Sequence, residues 1–350
     1  MPITTVLPLK LLAQQATLKQ KADETDFAFF QDVLKHNCPE YNGYNTALTR
    51  KQGQTEKPKT KTAYLPLIDL VPSHPDKIMT AMVEAQKVTH HADQKYVLLT
   101  CDLQLYKVAL HVKWAYPGMF SDVIPRLGGM HFLMSFVGCI GTLMENSGLE
   151  KVLSDVFGGV SKMLTGKKFP QNVRALRLLA EEVLRRVLGC NTHESKGDLM
   201  EVLENIAKRS KTAKLWVDML IKPVFLIMSF VRAEREADSL LHLQACKLIL
   251  PYFFAADHVH YARYELCYLR AMEALPEEVL VRFMKGEHVM RHHGLWSDMF
   301  IETTFMRYGH APNGILGIIL KPNTHKVWAL SFHTCSSMDA CKFWKQGKGT

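Results

Sequence analysis

The sequence predicts a mostly helical α/β protein in which an α/β layer is interrupted by a large all-helical insertion. Two short apolar strings of strand type, KYVLLTC and DVIPRLGGMHF, flank a stretch with helical spacing of its apolar residues. Residues 149–293 then carry apolar residues at helical spacing with almost no β-branched alternation. Residues 294–350 return to a mixed pattern, so α/β segments bracket the helical block.

The chain divides into four segments on this pattern. Residues 1–62 predict an N-terminal helical segment and a polar, basic linker. Residues 63–148 predict the first part of the α/β layer, because strand, helix, strand and helix follow one another there, as in a partly parallel sheet. Residues 149–293 predict the helical insertion, and residues 294–350 the return to the α/β layer with a basic tail.

Composition excludes a wholly disordered chain and indicates an excess of positive charge. The 350 residues are 47% hydrophobic and 22% charged, with a formal net charge of +9. Between Lys162 and Arg186, seven basic residues face only Glu181 and Glu182. Such a surplus fits a polyanionic partner, although surface solubility alone is a more common reason for it.

Eight cysteines are scattered singly, and no CxxC pair is present. Cys139 and Cys246 stand within apolar stretches, which predicts buried thiols and favours a reducing compartment. The N-terminal residues lack a charged region before their apolar stretch, and no apolar run reaches the roughly 20 residues that span a bilayer. We therefore expect an intracellular protein with no signal peptide, no transmembrane helix and no membrane partner.

Common catalytic motifs are missing. Lys168 occupies the position that a phosphate-binding loop needs for Ser or Thr, and no GxSxG or GxGxxG string occurs. His288 and His292 have the four-residue spacing of zinc ligands on a helix, but the string HVMRH lacks the glutamate of zinc proteases. We interpret these two histidines as surface or capping residues rather than as a metal site.

Asp102 is the most informative acid, because it ends a buried apolar strand. A carboxylate there is costly unless it is paired, metal-bound or used as a helix cap. Capping of the helix that begins LQLYKV is the simpler interpretation, since aspartate is favoured at that position. Glu302, in a mixed polar and apolar helix, is unremarkable by itself.

Together, however, Asp102 and Glu302 resemble part of a known arrangement. An acid closing an inner strand, a second apolar segment, a long helical insertion and a helix-borne glutamate follow one another in ribonuclease-H-like DDE transposases with insertions. That resemblance implies carboxylates holding Mg²⁺ or Mn²⁺ for phosphodiester chemistry. A third acid is missing here, because Asp69 precedes Asp102 by only 33 residues and the intervening strands do not fit.

A second resemblance covers roughly residues 5–340. The strings LPLIDLVPSHPDKIMTAM, LTCDLQLYKVALHVKWAYP, PRLGGMHFLMSFVGCIGTLMENSGL and IETTFMRYGH resemble a multi-copy animal family with a domain of unknown function, whose members look derived from mobile elements. Three departures from that family, at Leu103, at His260 and in the shorter RHHGLWSDMF, together with the missing upstream acid, indicate an N-terminally truncated, drifting copy.

These resemblances imply a transposon-derived fragment with a degenerate DDE-transposase-like core, residual nucleic-acid binding and a nuclear location. Asp102 and Glu302 would be the catalytic and metal-binding remnants, and Gly128, Gly129 and His131 would lie near them. DNA would contact one basic surface, formed by Lys167, Lys168, Arg174, Arg177, Arg185 and Arg186. We expect no enzymatic activity in this chain, and the competing hypothesis is a non-catalytic helical protein-interaction module.

Overall fold

The structure is a computed structural model that describes residues 74–189, 199–292, 295–300 and 302. It forms two compact units, with the boundary between Ser297 and Asp298. The predicted N-terminal helix and linker, Asp69, and nearly all of residues 294–350 lie outside the described residues. Every element below belongs to the first unit, except that the last short helix, Ser297–Phe300, crosses the boundary.

The first unit begins with an α/β part. Helix α1 (Pro75–His91) is followed by strand β1 (Val97–Cys101), helix α2 (Leu103–Ala115), strand β2 (Val123–Leu127) and helix α3 (Gly129–Leu143). The two strands pair in parallel, with Val97 opposite Val123 and Cys101 opposite Leu127. The predicted partly parallel layer is thus confirmed as a small two-stranded sheet, with the predicted second helix beginning at Gly129.

A helical block follows, as the spacing predicts. Its helices are α4 (Leu149–Ser154), α5 (Val160–Leu164), α6 (Phe169–Gly189), α7 (Leu199–Ala207), α8 (Lys211–Trp216), α9 (Lys222–Glu236), α10 (Ser239–Ala255), α11 (Val259–Glu273) and α12 (Glu277–Met284). A π-helical turn, Val217–Ile221, joins α8 to α9. The two-residue strands β3 (Arg291–His292) and β4 (Leu295–Trp296) form a separate antiparallel pair.

The two faces of the parallel sheet have different neighbours, because side chains alternate along a strand. Val97 and Val123 pack with Ile78, Met82 and Ala109 of helices α1 and α2 in one apolar cluster. Their neighbours Leu98, Ile124 and Arg126 therefore point to the opposite face. On that face the fully buried Arg126 reaches helix α9 of the helical block, so the sheet joins the two parts of the unit.

Helices α3 and α5 approach very closely through two glycines. A Cβ atom on Gly141 would lie 2.2 Å from the Leu164 carbonyl oxygen, and one on Gly166 would lie 2.1 Å from the Met134 carbonyl oxygen. Both distances are far below van der Waals contact. The start of the helical block is therefore fixed against α3 by positions that accept no side chain.

Candidate functional site

Asp102 stands at the carboxyl end of β1 and caps helix α2. Its carboxylate accepts a hydrogen bond of 2.8 Å from the backbone N–H of Leu105, and its carbonyl accepts one from Tyr106. This is the capping geometry that the sequence favours locally. The cap uses one carboxylate oxygen, so it does not by itself decide whether Asp102 has a second role.

Of the three residues predicted near Asp102, Gly128 is a direct neighbour of its strand. The Gly128 N–H donates a 2.7 Å hydrogen bond to the Cys101 carbonyl. Gly129 starts α3, and a Cβ atom there would lie 3.0 Å from the Phe230 ring and 3.3 Å from the Glu234 carboxyl carbon. His131 is in the first turn of α3 and is partly buried. The carboxyl ends of both strands and the start of α3 thus meet at one edge.

Glu302 belongs to the second unit, whereas Asp102 belongs to the first. Their convergence on a common site therefore stays a prediction. Within the described residues, no group of three or more His, Cys, Asp or Glu side chains is arranged to hold a metal ion.

A buried ionic network lies beside this edge, and the sequence analysis missed it. Arg126 of β2 forms an ion pair with Glu234 of α9, and both side chains are fully buried. The Nδ1 atom of His242, on α10, lies 2.8 Å from Glu234 Oε1, and its Nε2 atom lies 2.8 Å from the Tyr268 hydroxyl on α11. Four elements therefore meet through one chain of polar contacts, which we call the Arg126 network.

The Arg126 network keeps Glu234 ionised. Burial by itself raises the pKa of this carboxyl, but the charge of Arg126 and the hydrogen bond and charge of His242 outweigh it. The resulting pKa is about 2. A buried carboxylate of this kind is tolerated because Arg126 and His242 both act on Oε1, whereas Oε2 has no hydrogen-bond partner within the described residues.

Glu265 on α11 is the opposite case. It is fully buried, and neither carboxyl oxygen has a hydrogen-bond partner in the described part of the chain. Burial alone raises its pKa to about 9, so the side chain is a neutral carboxylic acid at pH 7. The buried thiols Cys139 and Cys246, predicted as such, have raised pKa values for the same reason, with a further contribution from the nearby Glu265.

His288 is buried rather than a surface or capping residue, which corrects the interpretation from the sequence. It is only 4% exposed and stacks on Phe283 with a centroid distance of 4.8 Å. Of the residues that the sequence analysis missed, Glu234 lies in the charged string RAERE and gives no signal, whereas Arg126, His242 and Glu265 each interrupt an apolar run. Such a residue must be paired or neutral if the run is buried.

The residues predicted to contact nucleic acid fall into two groups in the structure, one exposed without ion pairs in the described part of the chain and one paired with glutamates. Lys167, Lys168 and Arg174 are exposed, as is Lys162 at the end of α5. None of these four cations forms an ion pair within the residues that the structure describes. We call these four residues the α6 basic surface.

The other arginines of α6 form ion pairs with glutamates of the same helix. Arg177 is buried, and its guanidinium pairs with Glu181 at 2.9 Å, which corrects its placement on the exposed basic surface predicted from the sequence. The reason is helical geometry, because position 177 follows Val173 by four residues and precedes Ala180 by three. Arg185 and Arg186 are exposed and share Glu182, at 2.9 and 2.8 Å.

The site and fold define a mostly helical α/β protein with a small parallel sheet, a buried ionic network and a basic helix. Family comparison then places the chain. It matches the family described as "Domain of unknown function (DUF8702)" over residues 40–199 and 190–343, so the chain belongs to that family. No curated protein and no solved structure matches it. Among the described residues, no helix is both long and apolar enough to cross a membrane.

Proposed function

We propose that this chain is a catalytically inactive, transposon-derived nucleic-acid-binding protein that acts in the nucleus. The observation that carries the binding proposal is the α6 basic surface, where four exposed cations have no acidic partner within the described residues. Lysine and arginine side chains of this kind contact phosphates, and the resulting binding has no sequence preference. The start of α6 lies within this surface, and the positive end of a helix dipole adds to the attraction.

The α/β part supports the likeness to a degenerate DDE-transposase-like core. Strand β1, helix α2 and parallel strand β2 follow one another, Asp102 comes directly after β1, and a helical block follows. In such a core Asp102 and Glu302 would hold Mg²⁺ or Mn²⁺. Two carboxylates hold a metal pair poorly, so we propose that the core does not cut or join DNA.

Binding is tested with the triple variant Lys167→Ala, Lys168→Ala, Arg174→Ala. We expect it to bind a fluorescent DNA duplex at least tenfold more weakly than the wild type at low salt, measured by anisotropy. The matched control is Lys87→Ala, Arg185→Ala, Arg186→Ala, which removes three cations that already pair with Glu84 or Glu182. An equal loss in both variants would show that only net charge matters and would contradict the assignment of this surface.

The competing function is protein interaction, and an exposed apolar surface on α12 supports it. Leu280, Val281 and Met284 of α12 are 43%, 47% and 56% exposed and lie on one side of a helix. If the wild-type chain does not bind duplex DNA at low salt, this alternative takes precedence over the nucleic-acid proposal.

Inactivity is tested by incubating supercoiled DNA with the purified chain and either Mg²⁺ or Mn²⁺. We expect no nicking with either ion. Metal-dependent nicking that disappears in Asp102→Asn would contradict the proposal and would show that a third metal-binding acid exists.

A further inference from the structure

A cleft lies on the side of the sheet away from the carboxyl ends of its strands. Its volume is about 530 Å³, within the range of roughly 300–1,000 Å³ that small-molecule sites occupy. Helix α1 supplies Val88, the segment just before β1 supplies Tyr96, the sheet supplies Leu98 and Ile124, and the helical block supplies Phe283. Most of the wall is therefore apolar and includes two aromatic rings, and Thr89 and Gln94 add polar side chains to it.

Of the polar residues that line this cleft in the described structure, only His288 is buried. It lines the cleft, is 4% exposed, and neither ring nitrogen makes a hydrogen bond within the described part of the chain. A buried imidazole without partners is costly, and a ligand that bonds to it removes that cost. The ring is already fixed in place by its stacking on Phe283.

The charge of the cleft excludes a strongly ionic ligand. Arg282 and Glu287 line its exposed part, but they form an ion pair at 3.1 Å, so their opposite charges cancel. Burial, helped by the charge of Arg126, lowers the pKa of His288 to about 3, although Glu234 acts in the opposite direction. The imidazole is thus neutral at pH 7.

A neutral imidazole has one N–H donor and one acceptor nitrogen. The Phe283 backbone carbonyl favours the protonated form of the His288 ring, although it does not reach the geometry of a hydrogen bond with either ring nitrogen. Because a carbonyl only accepts, we assign the ring hydrogen to the nitrogen on that side. The other nitrogen is then an acceptor, and the ligand must supply the donor.

We propose that this cleft binds a neutral, planar, largely apolar small molecule, such as a heteroaromatic compound, that donates one hydrogen bond to His288. The ligand stacks among Tyr96, Phe283 and the aliphatic side chains and leaves its edge open at the mouth beside Val88. This site is separate from the α6 basic surface, and its occupation does not depend on nucleic-acid binding.

The test compares two probes, indole and 1-methylindole, which differ by the N–H donor. Both are titrated into the full chain by calorimetry. We expect saturable binding of indole and about tenfold weaker binding of 1-methylindole, the effect of one hydrogen bond. In His288→Phe, which keeps a ring against Phe283 but has no nitrogen, both probes should bind with the same, weaker affinity.

A second variant tests the position of the ligand without changing His288. Val88→Trp fills the mouth of the cleft from an exposed position and should abolish indole binding. Val156→Trp, the same substitution at an exposed valine that does not line the cleft, should leave indole binding unchanged. Absence of saturable indole binding, equal affinity of wild type for both probes, or equal effects of the two tryptophan variants would overturn the proposal.

Discussion

Buried ionisable side chains dominate the molecule at the scale of the residue. Glu234 and Glu265 are both fully buried glutamates, on α9 and α11, yet their pKa values move in opposite directions. The difference is the partner, because Glu234 has Arg126 and His242 beside it and Glu265 has no hydrogen-bonded neighbour in the described structure. Each case leads to a distinct prediction.

Glu265 should make stability fall as pH rises. Its pKa goes from an ordinary 4.5 in the unfolded chain to about 9 in the folded protein, so the folded state retains a proton that the unfolded state loses. Between these two values the free energy of unfolding should decrease by about 1.4 kcal/mol per pH unit from this group. Urea unfolding at pH 5, 7 and 9 should show this slope in the wild type.

Glu265→Gln should remove that slope, because glutamine does not ionise. The exposed Glu278→Gln serves as the control and should retain it. An unchanged pH dependence in Glu265→Gln would show that the carboxyl is ionised in the folded protein.

Loss of one partner in the Arg126 network should be strongly destabilising. Glu234→Leu leaves the guanidinium of Arg126 buried without its carboxylate, at a cost of about 3–5 kcal/mol in the free energy of unfolding. Arg126→Met with Glu234→Leu removes both charges and should cost less than the sum of the single variants. A double-mutant cycle by urea unfolding measures this coupling, and additive effects would argue against a direct ion pair.

At the scale of the element, Asp102 links the end of β1 to the start of α2. Replacing Asp102 by alanine removes the hydrogen bond to the Leu105 N–H and should cost about 1 kcal/mol. Asn keeps an oxygen acceptor, so Asp102→Asn should stay close to the wild type in thermal unfolding. Equal destabilisation by both substitutions would mean that the negative charge, rather than the cap, stabilises this junction.

The close contact between α3 and α5 gives a prediction with a large effect. In Gly141→Ala the new methyl group meets the Leu164 carbonyl at 2.2 Å, so the backbone must move, and we expect destabilisation of more than about 2 kcal/mol. Gly118→Ala is the control, because nothing lies within 4 Å of its added Cβ atom. Similar melting temperatures for the two variants would contradict the packing of α5 on α3.

The elements show where sequence reasoning succeeds. The strands around Leu98 and Ile124 and the capping role of Asp102 could be predicted, because apolar runs, caps and turns are local signals. The Arg126 network could not, since its partners are 108 residues apart in the chain. Arg177 was misplaced because it lies at the margin of the apolar stripe, where spacing alone does not distinguish a buried position from an exposed one.

At the scale of the whole molecule, the net charge of +9 concentrates in basic windows on a body that is otherwise slightly acidic. Ion pairing within the chain then decides which cations are available to contact a nucleic acid. Arg177, Arg185 and Arg186 are partly neutralised by glutamates of α6, whereas Lys167, Lys168 and Arg174 are not. We therefore assign phosphate contact to the N-terminal end of this helix and to the two lysines that directly precede it.

The salt dependence of duplex DNA binding tests this central claim most directly. Each phosphate contact contributes about 0.9 to the slope of log K against log salt for duplex DNA. We predict that the variant Lys167→Ala, Lys168→Ala, Arg174→Ala reduces the magnitude of that slope by about 3, while Lys87→Ala, Arg185→Ala, Arg186→Ala changes it by less than about 1. The same slope for the wild type and the first variant would contradict the account.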